Sequence, residues 1–212
     1  SIFVGTMSNS QTDGGVLSAV MNDATAKPFV KGFGLQWGMI DTYGSLALDK
    51  SLPIWQTEHK CGNYPWVNGT NQSKAPNDFA YGVETWGLIR DWIKKGVTSY
   101  SAWNMVLDTV GKSVDTVRPW AQNALLTVDT SSKKLNITAA YYVFRHISQY
   151  VDVGAKVVGT SGGDALAFKN PDGTIVLVMY NSGAAKKATV KLGGKMLQFD
   201  MPDKGWATVN WK

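Results

Sequence analysis

Only two glutamates occur in this 212-residue chain, Glu58 and Glu84. Glu58 ends the run Leu52-Pro53-Ile54-Trp55-Gln56-Thr57 and precedes His59, Lys60, Cys61 and Gly62. A carboxylate at the end of an apolar strand, beside aromatic residues, suits the nucleophile of a glycosidase. That chemistry needs a fixed, ionised carboxylate below the anomeric carbon, and for retention a second acid about 5–5.5 Å away. The competing reading is a salt-bridged loop glutamate. Trp103 and Asn104 close a second strand-like run, and Gln36 and Trp37 close a third. Each tryptophan fits a sugar floor or a core side chain, and Asn104 fits a hydroxyl-binding amide or a helix cap.

The remaining reactive groups fall away on spacing. Glu84 sits mid-helix and reads as a surface or interhelix charge. His59 and His146 are the only histidines and Cys61 the only cysteine, so no metal-ligand spacing forms and no cofactor is called for. "GTSGG" at 159–163 matches the esterase elbow formally, but both flanks read as strands where the elbow needs a helix after the serine. "VGKS" at 110–113 lacks the leading glycine of a phosphate loop, since position 106 is Val106. "GFGLQW" at 32–37 lacks the third glycine of a dinucleotide fingerprint.

These residues need elements to hold them. "IFVGTM" (2–7), "VKGFGLQW" (30–37), "LPIWQT" (52–57) and "VTSYSAWNMVL" (97–107) read as strands. Helical spacing marks 14–23, with Thr12 or Asp13 as cap, and 77–96, with Asn77 or Asp78 as cap and an apolar pattern through Phe79, Val83, Trp86 and Trp92. "SLALDK" (45–50) reads as a short helical turn, and 139–151 as a further helix. Alternating strands and helices with short links argue for βα units and a parallel sheet, buried on both faces. In that frame Ile54, Gln56 and Glu58 share one side of their strand by two-residue alternation. Beyond residue 151, six short β runs separated by Gly-, Asn- and Pro-rich turns predict an antiparallel sandwich. The expected domains are therefore 1–150 and 151–212.

Composition narrows the function. Apolar residues are 44% and charged residues 17%, enough to build a core. Nine tryptophans and eight tyrosines fit a carbohydrate binder, although most tryptophans in proteins are simply buried. A net charge of +5 comes without a basic run or aromatic–basic interleaving, which argues against nucleic acid. No apolar stretch approaches a membrane span. A single cysteine leaves the compartment open; the sequons at Asn68, Asn71 and Asn136 are compatible with secretion but carry weight only in a secreting eukaryotic host.

"LPIWQTEHKCGN", "AYGVETWGLIRDWIKKGVTSYSAWNMVLD", "RPWAQNALLTVD" and "AAYYVFRHISQYVDVGAKVV…ALAFKNPDGTIVLVMYNSG" together resemble glycoside hydrolase family 30, from residue 1 to 212 and in order. The family includes glucosylceramidases, β-glucosidases, β-1,6-glucanases and xylanases. The resemblance implies the C-terminal half of a (β/α)8 barrel, strands five to eight, followed by the β side domain. It implies that Glu58 is the nucleophile, that Trp103 and Asn104 line the sugar pocket, and that Trp37 forms a wall. Gln36, taken with these as a substrate-binding residue, stands where glucosylceramidase-like members often carry histidine. The family's acid/base is the glutamate of an Asn-Glu-Pro motif at the fourth strand. This sequence has no such motif and no glutamate before Glu58. The family's side domain also takes N-terminal strands, which are not in this sequence. A half-barrel exposes edges and an inner apolar layer, so a homodimer or a complementary half-barrel is the expected partner, beside a carbohydrate. Two functions follow: a retaining β-glycosidase acting on β-glucosides or related sugars, or its nucleophile-bearing half; alternatively, a truncated non-catalytic carbohydrate-binding or structural domain.

Overall fold

The structure, a computed structural model, describes residues 1–60, 78–112 and 122–212. The loop expected after Glu58, with Cys61 and the sequons at Asn68 and Asn71, lies outside the described residues, as does Ser113 of the "VGKS" motif. The chain divides into two compact units, Ser1–Tyr141 and Tyr142–Lys212, with the division inside a helix.

In the first unit a four-stranded sheet runs β1 (Ile2–Met7), β2 (Val30–Gln36), β3 (Ile54–Lys60), β4 (Ser99–Trp103), in chain order and parallel throughout. Parallel neighbours require crossovers, and helices supply them. Helix α1 (Ser10–Asn22) joins β1 to β2, and α2 (Met39–Thr42), continued by a 3-10 turn, follows β2. Helix α3 (Phe79–Lys94) precedes β4. Val4, Phe33, Leu35 and Ile54 of the sheet bury against Leu17 of α1, Met39 of α2 and Trp92 of α3. Each fully buried large apolar side chain here contributes about 1.5–3 kcal/mol.

Local chemistry explains where the helices begin. The first starts earlier than the spacing implies, because Asn9 rather than Thr12 or Asp13 is its cap: Asn9 Oδ1 accepts the Gln11 N–H at 2.9 Å. Asp13 instead reaches back to accept the Ser8 and Asn9 amides at 2.7 and 2.9 Å, and these bonds hold its carboxyl below the usual range. Asp78 caps α3 through Ala80. The buried stripe of α3 is Tyr81, Gly82, Thr85, Trp86, Ile89 and Trp92, while Phe79 is 44% exposed, so the apolar pattern read from the sequence is off by part of a turn at its start. The turn expected at 45–50 forms earlier, at 39–45.

Two strand boundaries also move. β3 runs on to Lys60, so Glu58 lies within the strand rather than after it. The fourth run breaks at Asn104. Its second part becomes β5 (Val106–Asp108), which joins β6 (Leu126–Asp129) and β7 (Lys134–Ile137) in a separate three-stranded sheet. The hydroxyl of buried Thr138 donates to the carbonyls of Ala124 and Leu125 and anchors the end of β7.

The sheet's two faces differ. Opposite the helical face lie Phe3 and Trp55, in contact at 4.3 Å between ring centroids with their planes tilted by 33°, yet 38% and 42% exposed. Gly32 permits this: a Cβ there would meet the Phe3 ring at 2.3 Å. The expectation of burial on both faces is therefore met on one face only among the described residues.

The second unit begins in helix α4 (Ala139–Ser148) and continues as antiparallel strands. β13 (Trp206–Trp211), β10 (Ile175–Tyr180), β9 (Asp164–Lys169) and β8 (Lys156–Val158) form a four-stranded sheet in that order. β11 (Lys186–Leu192) and β12 (Lys195–Met201) form a hairpin. Gly193 and Gly194, with φ of 53° and 80°, supply the two left-handed residues of its turn. Two buried asparagines brace the loops: Asn181 donates to Ala184 and Pro202 carbonyls at 2.8 Å, and Asn170 bridges Tyr150 and Asp152. A cleft of about 710 Å³ opens over Ala165, Ala167, Leu177 and Met179, with Val190 and Trp211 on its walls.

Helix α4 is tied to the sheet by His146, whose Nδ1 lies 2.8 Å from the Thr208 hydroxyl. Burial, and secondarily the Arg145 charge, push the His146 pKa below its ordinary 6.5. The folded state thus resists protonation, and the unfolded state binds the proton first, so this contribution to stability is lost as pH falls from about 6.5 through the lowered folded value. Replacing His146 with glutamine, which keeps a hydrogen-bonding group but cannot titrate, removes that dependence. Urea unfolding should show the wild type losing more midpoint between pH 7 and pH 5 than the variant; an equal loss in both would contradict the assignment.

Candidate functional site

Because the four strands are parallel, their C-terminal ends come to one edge of the sheet. There Gln36 pairs in register with Glu58, and Trp103 with Lys60. The Gln36 Nε2 donates to Glu58 Oε2 at 2.7 Å. The Trp37 backbone N–H donates to the Glu58 carbonyl at 3.2 Å, and Trp37 itself is held in the left-handed region at φ 45°. A bulky residue at positive φ carries strain of order 1–3 kcal/mol and persists only where neighbours fix it.

Strand geometry decides where Glu58 points. Ile54 and Gln56 are buried, as alternation requires. A register shift falls between Gln56 and His59. After it, the inward position is taken by His59, which is 4% exposed, with ring centroids 6.1 Å from Tyr100 and 6.3 Å from Trp92. Successive side chains face opposite ways, so Glu58 is turned away from the helical layer. The expected grouping of Ile54, Gln56 and Glu58 on one side is thus overturned by the bulge. Glu58 is half-buried, and among the described residues no cation pairs with it and no second hydrogen bond reaches its carboxylate.

The other expected residues divide. Gln36 and Glu58 are joined by their side-chain bond, whereas Trp37 meets Glu58 through its backbone and its ring approaches His59, at 6.2 Å between centroids. Trp103 ends the neighbouring strand, half-buried. Asn104 is 9% exposed; its amide donates to Gln122 Oε1 at 2.7 Å, and its carbonyl accepts the Leu125 N–H. His59 packs as a ring in the core. Glu84 lies on α3.

Sequence reasoning missed two hydroxyls. Thr6, near the end of β1, hydrogen bonds to Thr57, and the Thr57 hydroxyl also reaches the Leu35 carbonyl at 3.2 Å. Gly34 leaves space for this pair. Strand-end threonines beside Thr57-Glu58 were the available signal. The "GTSGG" segment is a turn between two antiparallel strands, with Gly162 and Gly163 at φ 80° and 71°, so no nucleophile elbow forms. Among the described residues no cluster could hold a metal ion, and no helix is long and apolar enough to cross a membrane.

Comparison with known proteins follows the same lines. Residues 151–209 match the glycosyl hydrolase family 30 β-sandwich domain. No curated protein matches the chain in sequence. The fold is shared with SrfJ from Salmonella typhimurium at TM-score 0.75 and 21% identity, over 97% of this chain and 46% of that one. It is shared with an endo-β1,6-glucanase at TM-score 0.73 and 21% identity, over 96% and 47%. It is also shared with the catalytic domain of the family 30 xylanase C from Talaromyces cellulolyticus, at TM-score 0.62 and 18% identity, over 93% and 49%. The chain spans less than half the length of each of these. Residues 151–209 thus carry the glycosyl hydrolase family 30 β-sandwich domain, and the chain as a whole shares its fold with these three structures.

Proposed function

We propose that the chain is the nucleophile-bearing half of a retaining β-glycosidase. The reading rests above all on Glu58: a half-buried carboxylate at the C-terminal edge of a parallel sheet, held by an amide and free of a described cation. Catalytic groups of βα barrels sit at that edge. In the retaining reaction a Glu58 oxygen attacks the anomeric carbon. The bond to the leaving oxygen breaks, and a second acid protonates that oxygen. The same second group then takes a proton from water, which displaces Glu58 and releases the sugar. Trp37 and Trp103 would wall the sugar ring, and Asn104 would serve its hydroxyls only by giving up its bond to Gln122, while the Gln36 amide is engaged by Glu58. The substrate class is a β-glucoside or related β-linked sugar, with glucosylceramidase-like action as the specific form. No cofactor enters.

The acid/base glutamate is the part this chain lacks. Its only other glutamate is Glu84, on α3. The strand order β1-β2-β3-β4, in sequence and parallel, supports half of a (β/α)8 barrel, residues 1–150, followed by the sandwich of 151–212. The uncovered Phe3–Trp55 face is the layer a second half-barrel would bury, whether from a second copy or from a complementary polypeptide. The cleft over Ala165 and Ala167 is where further strands of the side domain would lie.

Two measurements test this. Kinetics on a panel of chromogenic β-glycosides should show Glu58→Gln lowering turnover by at least about 10³-fold, as expected when a covalent nucleophile is lost. Trp103→Ala should act mainly on KM. Turnover that survives Glu58→Gln would remove Glu58 from the reaction, and a chain that binds sugar but turns nothing over is the non-catalytic carbohydrate-binding domain instead. Light scattering after size exclusion should give a mass of two chains. A well-folded monomer would contradict closure by a second copy.

A further inference from the structure

We infer that Gln36 is the positioning residue for Glu58: its amide fixes one carboxylate oxygen, Oε2, and thereby leaves Oε1 as the oxygen that attacks. This deepens the glycosidase reading and rests on it. The sequence had placed Gln36 among groups that touch the sugar; the geometry points to a group that acts through Glu58. The bond is 2.7 Å, within the range of charge-assisted N–H···O⁻ contacts. It is the sole hydrogen bond to that carboxylate among the described residues, so it alone selects between two oxygens that are otherwise equivalent.

The donor is itself held. Leu35, one residue earlier, is fully buried, and the Trp37 N–H, one residue later, is bonded to the Glu58 carbonyl at 3.2 Å. Gln36 and Glu58 are also register partners across β2 and β3. The backbone of one strand is thus tied to the backbone of the other beside the side-chain bond, which shortens the reach of both side chains and limits their rotamers. A primary amide cannot lose its proton in water, so the donor does not switch off with pH as an imidazole donor can change its role. With Oε2 bonded, the Oε1 lone pairs stay available for an in-line attack on an anomeric carbon, and the carboxylate is held in one orientation for it.

Having two glutamates makes the test direct. With ¹³C at the glutamate side-chain carboxyls, the folded chain gives two carboxyl signals, and Glu58→Gln identifies which is Glu58. Gln36→Met, close in shape but without a donor, should move the Glu58 signal and leave that of Glu84 in place. Gln36→His, which restores a donor, should bring it back toward the wild-type position. An unmoved Glu58 signal in folded Gln36→Met would overturn the proposal. Should that variant not fold, the ¹⁵N side-chain amide signal of Gln36 in the wild-type fold gives the second arm: it should shift in Glu58→Gln, and no shift overturns the proposal equally. Where turnover is measurable, Gln36→Met should lower kcat about tenfold or more with little change in KM, the size of one hydrogen bond to a charged group. A KM effect alone would mean that Gln36 binds substrate rather than positions Glu58. The spectra do not depend on turnover, so a failure of the glycosidase reading and a failure of the positioning bond are seen separately.

Discussion

The register shift in β3 is the constraint on which the site depends. This strand has to fill the core and furnish the mouth with the same few residues. Ile54 and Gln56 face the helices, and strict alternation would bury Glu58 with them, where an unpaired carboxylate would cost several kcal/mol. The shift between Gln56 and His59 lets His59 take the buried place, among Trp92 and Tyr100, and turns Glu58 the other way. One extra residue in a ladder therefore separates a packed imidazole from a usable carboxylate. A second irregularity, between Leu35 and Gln36, brings Gln36 level with Glu58, and the left-handed Trp37 closes that end of β2 onto β3.

The first unit otherwise follows the physics of parallel sheets on its helical face and departs from it on the other. Such sheets are stable when covered on both sides. Here the glycine at position 32 lets the Phe3 ring pass close over β2 and meet Trp55 at a tilt, and both rings are only partly shielded. In the second unit a two-stranded hairpin accompanies a four-stranded sheet, with a cleft where the small side chains of Ala165 and Ala167 leave room.

Much of the architecture was legible in the sequence because it follows from period and punctuation. The parallel strands, α3 with its Asp78 cap, and all six strands of the second unit were marked by apolar runs between turn residues. The misses have physical causes. The cap of α1 was misplaced because Asn9 and Asp13 are both good capping types, and only geometry separates the cap from the residue that bonds back to it. The fourth run looked like one long strand because Trp103 through Leu107 stays largely apolar; buried Asn104, bonded to Gln122, breaks it and starts another sheet. The place of Glu58 near the C-terminal end of its strand was legible from the apolar run before it. Its orientation was not, because a bulge leaves no mark in composition.

The central claim is that Glu58 bonds covalently to a sugar. Incubation with a 2,4-dinitrophenyl 2-deoxy-2-fluoro-β-glycoside, whose leaving group departs without acid assistance, followed by peptide mapping by mass spectrometry, asks this directly. The account predicts one fluoroglycosyl adduct on the peptide that contains Glu58, absent when Glu58 is replaced by glutamine. An adduct elsewhere in the chain, or none from a correctly folded and assembled protein that still hydrolyses the unfluorinated glycoside, would contradict it.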